Sequence, residues 1–410
     1  MKRRKASDIG VSEQVRGSVP VAFVIFGLGC GGAEIALLEL VKGLDRSRFE
    51  PIIISLAPPA ALSQAFEAAG VQIYYLGLER VEQAPLVLFR AWRLVRKLRP
   101  ALLHGVMFYG DLVARLLRMS GETPAVITAM HTTDIGSRGY EQVMRWSDRF
   151  TDAVTAVSDD VARSQVRAGS IRSSKVTVIR NGIDLKRLAA PSASELETQR
   201  LRLGLNRTDR VLLCVARLEP PKEHGLLLRA FHRLSARAPD VKLLLVGSGR
   251  LESELRALAA RLGLEQKVVF AGQLSPVAPV FHLADVFAMS SSREGLPLVV
   301  LEAMAAQLPM VVTSVGGIPE IVEHDRTGVL VPSGDEQALA AALERVFAMS
   351  DEARAAMGLA ARRCVEERYR VEHMVTATQN LYERILATHS RSKRPPPRGT
   401  IAEGAQRPVL

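Results

Sequence analysis

The stretch Val21-Ala-Phe-Val-Ile-Phe26-Gly27-Leu-Gly29-Cys-Gly31-Gly32-Ala-Glu34-Ile-Ala-Leu-Leu-Glu-Leu40 decides the fold. Val21–Phe26 is an unbroken apolar run of strand length, and Ile35–Leu44 is patterned as a helix. Gly27, Gly29, Gly31 and Gly32 lie between them. A strand that opens through a glycine loop into a helix begins a βαβ unit and predicts a parallel sheet. Outward from this unit the pattern repeats. Short runs at Ile52–Leu56, Val71–Leu76, Leu102–Met107, Ala125–Met130, Ala153–Val157 and Val176–Ile179 alternate with helix-length amphipathic segments. A polar, Ala/Ser-rich stretch at 189–210 interrupts the alternation. It restarts with Val211–Val215, Leu243–Val246, Val268–Phe270, Val286–Met289, Met310–Thr313 and Val329–Val331. The expected organisation is α/β: Rossmann-like domains at 20–188 and 211–364, a linker at 189–210, and a long helix at 365–388 crossing back onto the first domain. Segments 1–19 and 389–410 are expected to be disordered, the latter with its RPPPRG run.

Composition narrows the class. With 48% hydrophobic but only 5% aromatic residues, the cores of this 410-residue chain rest on Leu, Val, Ile and Ala. Cys30, Cys214 and Cys364 are far apart, without metal-ligand spacing, which suits a reducing compartment. No apolar stretch of signal-peptide or membrane-spanning length follows the basic start, so a cytoplasmic protein is expected. The net charge of +11 is concentrated at the ends: residues 1–20 carry five basic and two acidic side chains, residues 388–410 five and one. No recognition motif or series of stacking aromatics accompanies it, so nucleic acid is not an expected partner.

Gly27, Gly29 and Gly32 match the dinucleotide pattern G-x-G-x-x-G. An NAD-linked oxidoreductase would also need an acid at the end of the second strand, where the chain reads Ser55-Leu56-Ala57-Pro58. A phosphate or sugar contact at Gly31 and Gly32 is the preferred reading of the glycines, ahead of a plain tight turn.

Five further segments carry a resemblance: Gly31-Gly-Ala-Glu34, Val176-Thr-Val-Ile-Arg-Asn181-Gly-Ile-Asp184, Val211-Leu-Leu-Cys-Val-Ala-Arg217-Leu-Glu-Pro-Pro-Lys222, Val246-Gly247-Ser-Gly249 and Ser292-Arg-Glu294-Gly-Leu-Pro297-Leu-Val-Val-Leu-Glu302. Together they resemble the retaining family 4 glycosyltransferases, which have the GT-B fold, from about Val21 to the last helix. The resemblance implies that the first domain faces the acceptor and the second binds a nucleotide-sugar. It also implies an E-x7-E division of labour, Glu302 on the ribose hydroxyls and Glu294 on those of the donor sugar, with His131 at the donor sugar and reaction centre. Many family members have glycine after the lysine, where this chain has Lys222-Glu223-His224-Gly225. A carboxylate there would weaken the field of Lys222 unless it points away.

The residues make chemical sense on their own. Arg217 and Lys222 sit on the loop after a parallel strand, where open α/β sheets bind ligands. Two fixed cations stabilise the charge that develops on a departing diphosphate. No Asp-x-Asp occurs to anchor Mg²⁺ or Mn²⁺, so a metal-independent reaction without a cofactor is expected. Pro297 suits a first helical turn, which leaves the early N–H groups at Leu298 and Val299 facing a phosphate, alongside the Gly247 loop. Glu294 and Glu302 could also be read as a glycosidase pair, a reading that leaves Arg217 and Lys222 without a role. His131 and His104 both end first-domain strands, and His131 is the preferred site residue. Asp159 and Asp160 after Ser158 read as a helix N-terminus rather than a metal pair.

The expected function is retaining transfer of a sugar from a UDP- or GDP-linked donor to a glycan or lipid-linked acceptor, in cell-surface polysaccharide or glycolipid synthesis. A decayed nucleotide-sugar-binding protein is the alternative, with the oxidoreductase behind it. Leu86–Arg99 reads as a helix with Val87, Ala91, Leu94, Val95 and Leu98 on one stripe and Arg90, Arg93 and Lys97 on a flank. That helix is a candidate for contact with an anionic membrane surface, or simply a solvated basic face.

Overall fold

The computed structural model describes residues 17–119, 124–133 and 138–392. Two parallel sheets are present. The first contains β1 (Val19–Ile25), β2 (Phe49–Ser55), β3 (Gln72–Tyr75), β4 (Leu102–Val106), β5 (Ala125–Met130), β6 (Ala153–Ala156) and β7 (Val176–Val178), in the order β3-β2-β1-β4-β5-β6-β7. The second contains β8 (Arg210–Val215), β9 (Val241–Val246), β10 (Val268–Gly272), β11 (Val286–Met289), β12 (Met310–Thr313) and β13 (Val329–Val331), in the order β10-β9-β8-β11-β12-β13. Both are Rossmann-like sheets, and the architecture is GT-B. The order reverses between β1 and β4 and between β8 and β11, and ligands bind beyond the strand carboxyl ends at such switch points.

The sheets are buried on both faces, as continuous apolar strands require. In the first sheet Val21, Phe23 and Ile25 pack with the helix Gly32–Gly43, while the alternate residues Ala22 and Val24 pack with the helices Ala84–Leu98 and Met107–Arg118. A third apolar cluster runs through both domains and contains Ala36, Met130, Val157 and Val161 with Leu296, Leu298 and Ile318. The domains therefore share a core.

Two expectations need correction. The stretch 189–210 is not an open linker: Ala193–Arg202 is a helix whose capping box joins Ser192 and Glu195, and it packs on the second-domain helix Ala278–Leu283. The final helix does not run unbroken from 365. One helix ends at Arg368 and another spans Val371–Ser392. The break occurs where the chain crosses between domains a second time, beside its first crossing: Ile183 N donates to the Tyr369 carbonyl at 2.9 Å and Val371 N to the Ile183 carbonyl at 3.1 Å. Gly182 lies against this junction so closely that a Cβ would collide with Arg370 and Val371.

The last helix packs on the first domain as expected. Met374, Val375, Leu381 and Tyr382 join the core of the first sheet, and the Tyr382 hydroxyl lies 2.6 Å from Nδ1 of His104. Among the described residues no helix is long and apolar enough to cross a membrane. The basic end segments fall largely outside the described residues.

Candidate active site

On the second domain the loop after β8 carries Arg217 and the turn Pro220–Lys222. It lies flat against the loop after β9, with Leu218 N donating to the Ser248 carbonyl at 2.9 Å. Gly247 makes this possible: at φ 139 it holds a conformation foreign to other residues, and a Cβ there would collide with the Ala216 carbonyl. The turn is also fastened to the end of β11. The Ser290 hydroxyl donates to the carbonyls of Lys222 and Glu223 at 2.9 and 3.0 Å, and Ser292 N donates to that of Pro221 at 2.9 Å. Lys222 is thereby held with Nζ 2.5 Å from Oε1 of Glu294, the side chains 20% and 9% exposed. The Arg217 side chain is exposed, with no side-chain hydrogen bond or ion pair among the described residues. Glu223 adopts φ 50, ψ 40, the left-handed conformation that glycine would take at this place, at a cost of about 1–2 kcal/mol. Its side chain is exposed and Lys222 pairs with Glu294 instead.

Pro297 caps the helix Leu298–Ala305, so Leu298 and Val299 stand in its first turn and Glu302 one turn further in. Burial pushes the Glu302 carboxyl up to about 7, and the positive charge of Arg187 opposes the shift. Arg187, on the interdomain segment, is anchored with Nη1 3.0 Å from Oε1 of Glu39, an oxygen that Lys42 also approaches at 3.3 Å. Sequence reasoning missed both residues. The available signal was Glu39 itself, a lone acid within the apolar run of the helix Gly32–Gly43, and it is buried.

The first domain meets this surface through backbone. A Cβ on Gly295 would collide with the His131 carbonyl, and Cβ atoms on Gly316 and Gly317 would collide with the carbonyls of Glu294 and Gly295. Gly317 N donates to the Gly295 carbonyl at 2.7 Å. The Glu294–Gly295 loop is thus sandwiched between His131 and the loop after β12. Burial lowers the His131 imidazole to about 4, so it is neutral at pH 7. His104 differs: it is 4% exposed, stacked near Phe23 at 5.2 Å and bonded to Tyr382, which makes it part of the seam under the last helix. Gly31 is the N-cap residue of the helix Gly32–Gly43, and the Glu34 carboxylate lies so close that a Cβ on Gly31 would strike it.

A clamp unseen in the sequence completes the cleft. Glu320 of the second domain accepts from the backbone N–H groups of Asp160 at 2.9 Å and Asp159 at 3.1 Å, the first turn of the helix Asp159–Arg167. Arg180 lies 3.0 Å from Glu320 and also pairs with Asp159. Asn181 donates to the Leu296 carbonyl at 2.9 Å. Ser158 caps the same helix by accepting from Val161 N at 3.1 Å, so Asp159 and Asp160 occupy a helix N-terminus as expected.

The family model for glycosyl transferases group 1 matches residues 196–363, and that for glycosyltransferase family 4 matches 30–187. The D-inositol 3-phosphate glycosyltransferase of Streptomyces avermitilis is 31% identical over 405 residues, covering 89% of this chain and 85% of that one. This chain is a family 4 glycosyltransferase. A GDP-mannose-dependent alpha-(1-6)-phosphatidylinositol monomannoside mannosyltransferase of Mycobacterium tuberculosis is 30% identical over 364 residues, 83% of this chain and 91% of that one. In fold, the glycosyltransferase superposes on Anabaena Alr3699/HepE in complex with UDP and glucose with a TM-score of 0.79 at 22% identity, covering 89% of this chain and 100% of that one.

The buried carboxyl of this glycosyltransferase gives a signed pH dependence. Because the Glu302 pKa is raised from 4.5 to about 7 in the folded state, the folded protein holds its proton more tightly than the unfolded chain. The contribution to stability is full below about pH 4.5 and is lost as pH rises through 7. Glu302→Gln removes that dependence. Melting curves between pH 4 and pH 8 should show the variant gaining on the parent protein as pH rises; a constant difference would show that Glu302 is not desolvated.

Proposed function

We propose that the enzyme transfers a glycosyl unit from a UDP- or GDP-linked sugar with retention of configuration and without a metal ion or cofactor. The observation that carries this reading is the Lys222–Glu294 pair, one cation and one carboxylate held together at the β8/β11 switch point and facing His131 across Gly295. Lys222 and the exposed Arg217 would bind the donor diphosphate, assisted by N–H groups at Leu298, Val299 and Gly247 and by the Gly31–Gly32 loop. Glu302 would accept hydrogen bonds from the ribose diol and Glu294 from the donor sugar. The neutral His131 imidazole would hydrogen-bond the sugar beside the breaking bond. The bond between the anomeric carbon and the leaving phosphate oxygen breaks as the acceptor oxygen bonds to the same face. A phosphate oxygen takes the acceptor's proton, so no protein nucleophile is needed.

The relatives support the donor class: the mycobacterial enzyme is GDP-mannose-dependent by name, and HepE holds UDP and glucose. A held, oriented cation also weighs against a decayed, merely binding site. For the acceptor we propose a glycan or lipid-linked sugar of a surface polysaccharide or glycolipid pathway, reached from the cytoplasmic side with the enzyme resting on the inner leaflet. The helix Ala84–Leu98 supports this contact. It buries Val87, Ala91 and Val95 and exposes Leu86 and Phe89, with Arg93, Arg96 and Lys97 exposed along it. Arg90 is partly committed, donating to the Leu76 carbonyl at 2.8 Å.

Arg217→Ala and Lys222→Ala should each lower kcat by roughly 10²–10³ in a transfer assay, the scale of losing one transition-state charge partner. Activity should survive EDTA; unchanged turnover in both variants, or loss on chelation that Mg²⁺ restores, would contradict the reading. Flotation with anionic vesicles should recover the enzyme at low salt and lose it at high salt. Charge reversal at Arg93, Arg96 and Lys97 should weaken that recovery, and no recovery at low salt would remove the membrane contact.

A further inference from the structure

The first domain carries aromatic side chains that neither its core nor the proposed donor chemistry uses. Phe26 follows β1 and is 45% exposed; Tyr109, just after β4, is 50% exposed; Tyr140, on the helix Arg138–Ser147, is 40% exposed. Phe108 links them. Ring centroids are 5.4 Å apart for Phe26–Tyr109, 5.3 Å for Phe108–Tyr109 and 4.5 Å for Phe108–Tyr140, with planes inclined at 42°, 75° and 49°. The Tyr109 and Tyr140 side chains are close enough that Tyr140 pushes the Tyr109 phenol above its ordinary value.

The backbone beneath this cluster is constrained. Met107 turns the chain out of β4 at φ 60, a left-handed conformation costly for a side chain of its size. Three residues on, a Cβ at Gly110 would collide with the Val24 carbonyl. The start of the helix Met107–Arg118 is therefore fixed against β1, which sets Tyr109 beside Phe26. This is the β1/β4 switch point, the first domain's counterpart of the one that holds Lys222 and Glu294. β1, β4 and β5 are neighbours, so Phe26, Met107 and His131 leave from three consecutive strand ends. Adjacent strands are about 4.8 Å apart. Phe108 and Tyr109, on the helix that leaves β4, thus start one strand from His131, and Phe26 starts two strands from it.

We propose that Phe26, Phe108, Tyr109 and Tyr140 form the acceptor subsite and that its occupant is an uncharged pyranose ring, stacked by its C–H face on these aromatic faces. This rests on the donor reading above and adds the acceptor's chemistry. A sugar fits better than an acyl chain because the two tyrosine hydroxyls sit among the rings, and a hydrocarbon would bury them without new partners. Inclined rings also offer separate flat faces rather than a smooth trough. An uncharged ring fits better than a phosphate because, among the described side chains, the cations of the helix Arg138–Ser147 and of the turn after it are committed elsewhere. Arg145 donates to the carbonyls of Ala168 and Gly169, and Arg149 lies over the rings of Trp146 and Phe150.

Saturation-transfer NMR on the full-length enzyme with UDP or GDP present tests the assignment, with methyl pyranosides of glucose, galactose, mannose, N-acetylglucosamine and glucuronic acid as probes. Ring protons of at least one neutral pyranoside should receive saturation. Phe26→Ala and Tyr109→Ala should each weaken its binding by roughly tenfold, Tyr109→Phe much less, with nucleotide affinity by calorimetry unchanged in all three. The proposal is overturned if nucleotide binds but no neutral pyranoside does, if only the glucuronide binds, or if an octyl ether detergent without sugar competes as well as the pyranoside. Loss of nucleotide binding in the unmodified enzyme would instead overturn the donor reading on which it rests.

Discussion

The backbone of Gly295 lies against that of His131, with no room for even a methyl group between them. Whatever faces the cleft is positioned by that contact. Each domain is a Rossmann-like sheet with its own switch point, and neither switch point holds all the groups of the proposed site. The second has Lys222 and Glu294; the first has the aromatic cluster, with His131 one strand further on. The two halves meet because Gly295, Gly316 and Gly317 allow backbones to stack, and because Glu320 is inserted at the N-terminus of a first-domain helix. A helix N-terminus favours an anion, and Arg180 offsets the repulsion that Asp159 would otherwise exert on Glu320. Removing one member of a partly buried charge network costs more than the network contributes, because the remaining charges are left without partners.

In the proposed reaction, charge develops on a leaving diphosphate, and the electrostatics of the cleft support that reading. Lys222 is held in place by its pairing with Glu294, so little reorganisation would be needed at the moment of reaction. His131 is neutral and can donate or accept at physiological pH. Glu302, poised near neutrality by burial, gains most from partners that donate to its ionised form, as a vicinal diol does. Arg187 adds a link between domains, since it is anchored on Glu39 of the first domain while its charge acts on Glu302 of the second.

Strand and loop chemistry made much of this legible in the sequence. The apolar runs located the strands, and the glycine- and proline-marked loops located Arg217, Lys222, Glu294 and Glu302 at strand or helix ends. The linker helix was missed because its residues bury little, so no apolar stripe announced it; only the Ser192–Glu195 capping box was there to be read. The break at Tyr369 was missed because its cause is a crossing chain, Gly182–Ile183, almost two hundred residues earlier in sequence. The same holds for the clamp. Glu320, Arg180 and Asn181 look like surface polar residues until the domains are placed together. His104 and His131 show the limit most plainly: both were expected at strand ends, but His104 lies in the middle of β4 and its partner Tyr382 ties it to a packing seam, whereas His131 does follow the end of β5.

If the two switch points work only when the clamp joins them, the loss of Glu320 should separate binding from turnover. The nucleotide would be held mainly by second-domain groups, whereas in the proposed reaction transfer needs His131 in register. The direct measurement is Glu320→Ala, with nucleoside diphosphate affinity by calorimetry and kcat by transfer assay on the same preparation. The account predicts unchanged affinity and a kcat reduced roughly 10–100-fold, the scale of a small misplacement of reacting groups. Undiminished turnover, or a loss of affinity equal to the loss of turnover, would contradict it.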